Sequence, residues 1–374
     1  MSFGFSRRNF LAGSAALAAV PATAAPAPKL SYRTLGKTGL KVTTVGFGCM
    51  ITSDGSVIER AADMGITYFD TARGYSQGNN EKMVGAALGA KRKNLVLSSK
   101  SHTRTGEGAL KDLDKSLQEL GTDHLDIWYL HAVGKPEEIT DELLEAQQQA
   151  KKAGKIRFTG VSCHSGHKEV VTAALEKWKT EVLLLSYNFT MDNAVMAPLI
   201  ESAAKAGVGI VGMKVMAGRL RAGKDDKTIE TLKREGARLA ALKWVINNPN
   251  VGTTIPSITD MEQLEENFRG MRETFEPKDK QVLAAHLEQI GPLYCRSCGT
   301  CRGVCPKGLP VSDVLRYLTY AEGYGQFSLA RESFATLTPE QSAVRCADCS
   351  QCAIECPNGV RVPERLIRAQ ELFA

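Results

Sequence analysis

The chain has 374 residues, 43% of them hydrophobic and 24% charged, an ordinary globular composition for one large core plus a small second domain. That composition excludes a disordered chain and a disulfide mini-scaffold, and a formal charge of +6 with no basic stripe gives no nucleic-acid footprint. Ten cysteines are many for a cytosolic enzyme, and eight of them fall between Cys295 and Cys356.

Residues 1–29 read as a signal and linker. Ser6-Arg7-Arg8-Asn9-Phe10-Leu11 precedes a short apolar run, Ala12 to Val20, and the small-residue end Ala22-Thr23-Ala24. A basic start, an apolar stretch and an A-x-A end make a secretory signal, and paired arginines followed by x-Phe-Leu resemble the twin-arginine export signal. A chance basic start in a cytosolic protein is the alternative. The apolar run is too short for a permanent membrane span, so the expectation is export to the periplasm without an anchor. Cysteine clusters in an oxidising compartment usually mean disulfides, a conflict removed if metal is inserted before export.

From Thr44 onward, short β-branched runs alternate with longer amphipathic segments. Strands are expected at Thr44–Phe47, Tyr68–Asp70, Leu95–Ser99, Leu125–His131, Arg157–Ser162, Val182–Tyr187, Gly209–Lys214 and Thr253–Ile255. Helical patterns lie between them, among them Leu110–Leu120, Asp141–Ala153, Lys168–Lys177, Ala194–Ala206 and Ala237–Asn247. Eight strand–helix units are the count of a (β/α)8 TIM barrel, expected over residues 30–280. A doubly wound sheet would carry G-x-G-x-x-G after its first strand, where this chain has Gly46-Phe47-Gly48-Cys49-Met50.

Residues 281–374 are expected to form a separate, mostly helical domain. Cys295-x-x-Cys298-x-x-Cys301-x-x-x-Cys305-Pro306 recurs as Cys346-x-x-Cys349-x-x-Cys352-x-x-x-Cys356-Pro357, and each copy then enters a helical pattern. Two such runs are the ligand pattern of two 4Fe-4S clusters, in which the fourth cysteine of each run serves the other cluster. The expected sets are Cys295, Cys298, Cys301 and Cys356 on one cluster, and Cys346, Cys349, Cys352 and Cys305 on the other. Zinc or disulfides are the alternatives; the tight four-cysteine run fits separated zinc-ribbon halves poorly. The helical stretch between the runs resembles all-helical two-cluster ferredoxins.

Three strand ends carry reactive side chains: Asp70 and Tyr75 after the second strand, Lys100 after the third and His131 after the fourth. Barrel active sites sit at these C-terminal ends, so the four residues should converge at one mouth. Here the chain resembles the aldo-keto reductase superfamily over roughly residues 31 to 272, whose site is Asp, Tyr, Lys and His in this order. The chemistry suits these types. Tyr75 is the expected proton donor to a carbonyl in reduction, and acceptor in oxidation. Lys100 is expected to lower the phenol's pKa, Asp70 to hold Lys100, and His131 to orient the carbonyl oxygen.

The resemblance also implies a nicotinamide cofactor. Ser162 and Cys163 stand where the family has Ser-Asn for the carboxamide, Leu184 replaces a glutamine, and Met213 with Lys214 falls at the nicotinamide-stacking position. Glu266 and Asn267 match the adenine-side pair. Ser257 and Gln263 occupy positions where NADPH-dependent members place Lys and Arg, so NAD(H) is favoured over NADP(H). Lys214, Arg219 and Arg221 are the alternative cations, and a site without nicotinamide is the alternative reading.

The expected function is therefore interconversion of a small carbonyl compound and an alcohol, in a chain whose two clusters are expected to be structural or to serve a one-electron partner protein. Two alternatives belong to other classes: an electron-transfer protein whose barrel is a docking scaffold, and a small-molecule binding protein that retains the mouth.

Overall fold

The computed structural model describes residues 30–217 and 236–374. Ten strands are present in this range: β1 (Tyr32–Thr34), β2 (Lys41–Thr43), β3 (Phe47–Gly48), β4 (Tyr68–Asp70), β5 (Val96–Ser101), β6 (Leu125–Leu130), β7 (Ile156–Cys163), β8 (Val182–Ser186), β9 (Gly209–Met213) and β10 (Thr253–Thr254). Strands β3 to β10 run side by side in chain order, all parallel. Isolated bridges Val45–Thr254 and Gly48–Ser257 join the first strand to the last, so the sheet closes into the expected (β/α)8 barrel.

The barrel's outer layer includes α1 (Gly55–Asp63), α2 (Asn79–Leu88), α3 (Gly106–Leu120), α4 (Asp141–Lys152), α5 (His167–Ala173), α6 (Asn193–Lys205), α7 (Ala237–Ile246) and α8 (Met261–Gly270). Side-chain caps start several of them. Asp54 accepts from Ser56 N, Asp192 from Ala194 N and Asp260 from Gln263 N, each at 2.9 Å, satisfying amide donors that the helix itself leaves free.

Strand alternation divides the core into two layers. Tyr68, Val96, Ile127, Tyr129, Val182, Leu184 and Val211 fill the barrel interior, while Phe69, Leu97, Trp128, Leu130, Val161 and Leu183 pack outward against the helices. Gly160 is bare because a Cβ there would lie 2.3 Å from the Tyr129 ring. An antiparallel hairpin, β1 with β2, was not expected from the sequence. It adds Leu35, Leu40 and Val42 to the interior layer at the N-terminal end of the strands.

The C-terminal part contains α9 (Pro277–Ile290), α10 (Val311–Glu322), α11 (Phe327–Phe334), α12 (Pro339–Ser342) and α13 (Val362–Phe373). The expected boundary at residue 280 falls inside α9. Pro277 occupies the first turn, where a proline lacks no needed donor, and Glu276 with Asp279 forms a capping box. Helix α9 packs on the barrel through Leu283 with Ala240 and Ala241, and Lys243 pairs with Asp279 at 2.8 Å.

The sequence repeat is a structural repeat. After each run, Gly308 and Gly359, at φ 71° and 73°, donate to the carbonyls of Cys305 and Cys356 at 3.0 Å. The helices α10 and α13 follow, each of 12 residues. Val314, Leu315, Leu318, Leu366 and Ala369 then bury one shared core, flanked by Cys295, Cys301, Cys305, Cys346 and Cys356. Among the described residues no helix is long and apolar enough to cross a membrane. The proposed signal and residues Arg219 and Arg221 lie outside the described residues.

Candidate active site and cluster ligands

Parallel register sets the catalytic geometry. Asp70 pairs with Ser98, and Lys100 lies two residues on, on the same face of β5. Lys100 Nζ therefore reaches the Asp70 carboxylate; it also donates to Thr71 O at 2.6 Å and lies 3.5 Å from Tyr75 Oη. Ser98 Oγ donates to the other Asp70 oxygen at 2.6 Å, above a buried pair of tyrosines, Tyr68 and Tyr129, whose hydroxyls are 2.8 Å apart. Tyr75 opens a short turn whose next three residues, Ser76, Gln77 and Gly78, all have positive φ. Such backbone strain concentrates at functional sites. Behind the turn, Glu81 binds Arg73 at 2.5 Å and accepts from Ser99 Oγ at 2.5 Å.

Burial, reinforced by the Asp70 carboxylate, pushes the Tyr75 hydroxyl well above the ordinary phenol value. The expected lowering by Lys100 is not the dominant effect, because the ammonium is already matched by Asp70. Asp70 is itself raised by burial, against the pull of Lys100. His131, at the end of β6, packs edge-on to Tyr75 with ring centres 6.0 Å apart and lies 3.8 Å from the His102 ring centre. Burial and His102 hold His131 well below the ordinary imidazole value, so it is neutral, and its buried Nδ1 has no partner.

The strand ends open into one cavity of 1220 Å³. Asp70, Tyr75 and His131 line it from the barrel. Arg316, Tyr317, Tyr320 and Tyr324 line it from the C-terminal domain. Those four residues were absent from the sequence reading. Arg316 and Tyr320 stand one turn apart on α10 and Tyr324 follows its end, but only the packing of α10 turns them toward the barrel mouth. His102 and His164 also line the cavity, and His164 Nδ1 lies 3.3 Å from Ser186 Oγ.

Of the residues expected at the cofactor, Met213 and Lys214 line the cavity. Ser162 faces the barrel interior, and its hydroxyl accepts from Ala132 N at 2.8 Å. Cys163 does not reach the cavity: alternation along β7 turns it outward into the core behind, where its thiol donates to Ser165 O at 3.0 Å. Asn267 is 1% exposed with Oδ1 unpartnered, a buried acceptor suited to an adenine amino group. Glu266 pairs with Arg238 at 3.3 Å, and Arg238 lines the cavity alongside Ser257 and Gln263.

The cysteines fall into two sets. Cys295, Cys298, Cys301 and Cys356 surround one small hollow, and Cys305 lies with Cys346, Cys349 and Cys352. Each set takes three sulfurs from one run and one from the other. Burial, then the neighbouring sulfurs, pushes Cys295 up to about 12; burial and Cys305 push Cys346 to about 11. Four converging thiolates need bound positive charge, which iron supplies. No group of three or more His, Cys, Asp or Glu among the described residues is arranged for a single metal ion. A cubane spaces its four thiolates around a larger body than one ion, and the donor set fits it.

With the barrel and its mouth in view, the class is clear. The chain belongs to the aldo/keto reductase family, whose model matches residues 53–288, and residues 294–360 match a 4Fe-4S dicluster domain. It is similar to the oxidoreductase YqkF of Bacillus subtilis, 27% identical over 301 residues, covering 69% of this chain and 96% of that protein. The L-glyceraldehyde 3-phosphate reductase of Escherichia coli is 24% identical over 322 residues, covering 69% of this chain and 93% of that one. In fold, the chain is similar to the holo form of an aldo-keto reductase from Bacillus halodurans, with TM-score 0.59, 21% identity and coverage of 72% and 98%.

Proposed function

We propose that this oxidoreductase interconverts a small carbonyl compound and its alcohol, with Tyr75 as the proton-transferring group. The observation that carries this reading is the convergence of Asp70, Tyr75 and His131 on one cavity, with Lys100 buried behind them against Asp70 and 3.5 Å from Tyr75 Oη. Tyr75, held protonated, donates to the carbonyl oxygen during reduction; in oxidation it accepts the proton, and the adjacent ammonium stabilises the phenolate. Asp70 and Thr71 O fix the Lys100 position, and neutral His131 offers a ring nitrogen to orient the oxygen. Tyr75→Phe is expected to lower carbonyl turnover by roughly 10²- to 10⁴-fold with the protein still folded. Undiminished turnover in that variant would sink the assignment.

A nicotinamide would supply or accept the hydride. Met213 and Lys214, with Ser162, are proposed on its nicotinamide side, and Glu266 and Asn267 on its adenine side. Glu266 already claims Arg238, and its carboxylate repels a 2′-phosphate, which supports NAD(H) over NADP(H). A titration in which NADPH binds more tightly than NADH reverses that preference.

Two 4Fe-4S clusters, bound in the two crossed cysteine sets, would carry single electrons. One cysteine of each set, Cys298 and Cys352, is exposed, which supports exchange with a redox partner protein. Export by the twin-arginine pathway to the periplasm completes the proposal. Replacing both Arg7 and Arg8 with lysine should then retain the protein in the cytoplasm.

A further inference from the structure

Phenols from both domains line the cavity, Tyr75 from the barrel and Tyr317, Tyr320 and Tyr324 from the C-terminal domain. Tyr320 is carried in by α10 and is 6% exposed. The electrostatic surroundings of Tyr75 and Tyr320 are opposed. Beside Tyr75, the Lys100 ammonium is matched by the buried Asp70 carboxylate. Around Tyr320 two cations converge: Arg316 Nη1 donates to its hydroxyl at 3.4 Å, and Lys214 Nζ lies 4.8 Å from its ring centre.

The groups facing Tyr320 are Lys214 from the segment after β9, Arg316, Asp313 and Tyr317 on its own helix, Tyr324 beyond it, and Tyr75 and Tyr294 from the elements around it. Asp313 is the one carboxylate among them; it is 43% exposed and bound to Arg316 at 2.8 Å. Burial alone would raise the Tyr320 hydroxyl, but the Lys214 and Arg316 charges outweigh it and hold the group below the ordinary phenol value. Tyr75 is displaced the other way. Paired groups pushed apart by their environments are how one site holds an acid and a base at a single pH.

We propose that Tyr320 is a general base working with Tyr75 as the acid, and that the cavity enolises carbonyl compounds bearing hydrogen on the adjacent carbon. Tyr320 Oη, reacting as the phenolate, takes that proton to become the neutral phenol, the C–H electron pair becomes the carbon–carbon double bond, and the carbonyl oxygen takes the proton of Tyr75, leaving its phenolate. Reversal with a solvent-derived proton returns the carbonyl compound, so no oxidant or reductant is consumed. The inference rests on Tyr75 serving as the acid in the carbonyl reading above, and requires neither hydride transfer nor bound nucleotide.

The test uses the full cluster-loaded protein without nucleotide, in D2O with hydroxyacetone as probe, following loss of the α-proton signals by NMR. Wild type should exchange faster than buffer. Tyr320→Phe and Tyr75→Phe should each lower the rate roughly 100-fold or more, with cluster absorbance retained as the sign of a folded protein. Lys214→Met should move the low-pH limb of the rate profile to higher pH, because losing a cation raises the phenol. Wild-type exchange no faster than buffer, or unchanged exchange in Tyr320→Phe, overturns the inference. If that same preparation reduces carbonyls once NADH is added, the reductase reading stands. Exchange without any carbonyl reduction would instead keep Tyr320 as base and remove hydride transfer.

Discussion

Lys100 shows how neighbours settle a residue's role. Its ammonium is nearly inaccessible, 1% exposed at the side chain, and its contacts are the Asp70 carboxylate, the Thr71 carbonyl and the Tyr75 hydroxyl. The longest of these is the one to Tyr75, whose hydroxyl is kept protonated by burial and the nearby Asp70 carboxylate. A buried pair of this kind is unforgiving: removing one partner strands a charge, at a typical cost of about 3–5 kcal/mol. His167, at the start of α5, supplies a pH signature. Burial lowers it from 6.5 to about 4, with the Arg302 charge acting in the same direction. Between those values the unfolded chain binds a proton that the folded chain does not. Its contribution is therefore complete above about pH 6.5 and is lost as pH falls toward 4, a change of about 3 kcal/mol. Urea midpoints measured at both ends should show His167→Asn losing less stability on acidification than the parent. An equal loss in the two proteins would place the titration elsewhere.

At the scale of elements, the site depends on how helices and strands approach one another. Helix α2, which follows the Tyr75 turn, lies so close to the end of α3 that a Cβ on Gly85 would stand 2.4 Å from the Leu120 carbonyl oxygen. Gly85→Ala must push the helices apart, and a loss of about 1–3 kcal/mol in chemical denaturation is expected. A midpoint equal to the parent's would show that the α2–α3 approach is slack. Between domains, Arg302 stands beside Cys301 and reaches across to the barrel. Its guanidinium donates to Gly134 O and, at 2.7 Å, to Ser165 Oγ, in the loops that carry His131 and His164. Gln77, beside Tyr75, donates to Glu332 of α11 at 3.2 Å. The loops around Tyr75 and His131 are thus tied to the domain that carries the cysteines.

For the whole molecule, the C-terminal domain is both cofactor carrier and active-site wall. Its apolar core is small and is bordered by the cysteines themselves, so iron should supply much of its folding free energy. Removing iron with a chelator under reducing conditions is expected to expose residues beyond α9 to limited proteolysis while the barrel persists. It should also open the mouth, since Arg316, Tyr320 and Tyr324 would leave with the domain. Cleavage of barrel and C-terminal domain at equal rates would show instead that the two fold as one unit.

The sequence by itself determined the eight strand–helix units, the closed parallel barrel and the repeated cysteine runs, because these rest on local periodicity and fixed spacing. It also placed Asp70, Lys100 and His131 at strand ends, which register then brings together in space. The β1–β2 hairpin lies before the first strand–helix unit, so the alternation of strands and helices that marks the barrel does not reveal it. The placement of Cys163 depended on strand parity: one residue's shift along β7 exchanges the mouth for the outer core. The departure of Tyr75 from the expected lowering, and the shared cavity wall of Arg316, Tyr320 and Tyr324, were decided only by tertiary structure. Burial and the balance of nearby charges are sums over residues far apart in the chain, and no local spacing encodes them.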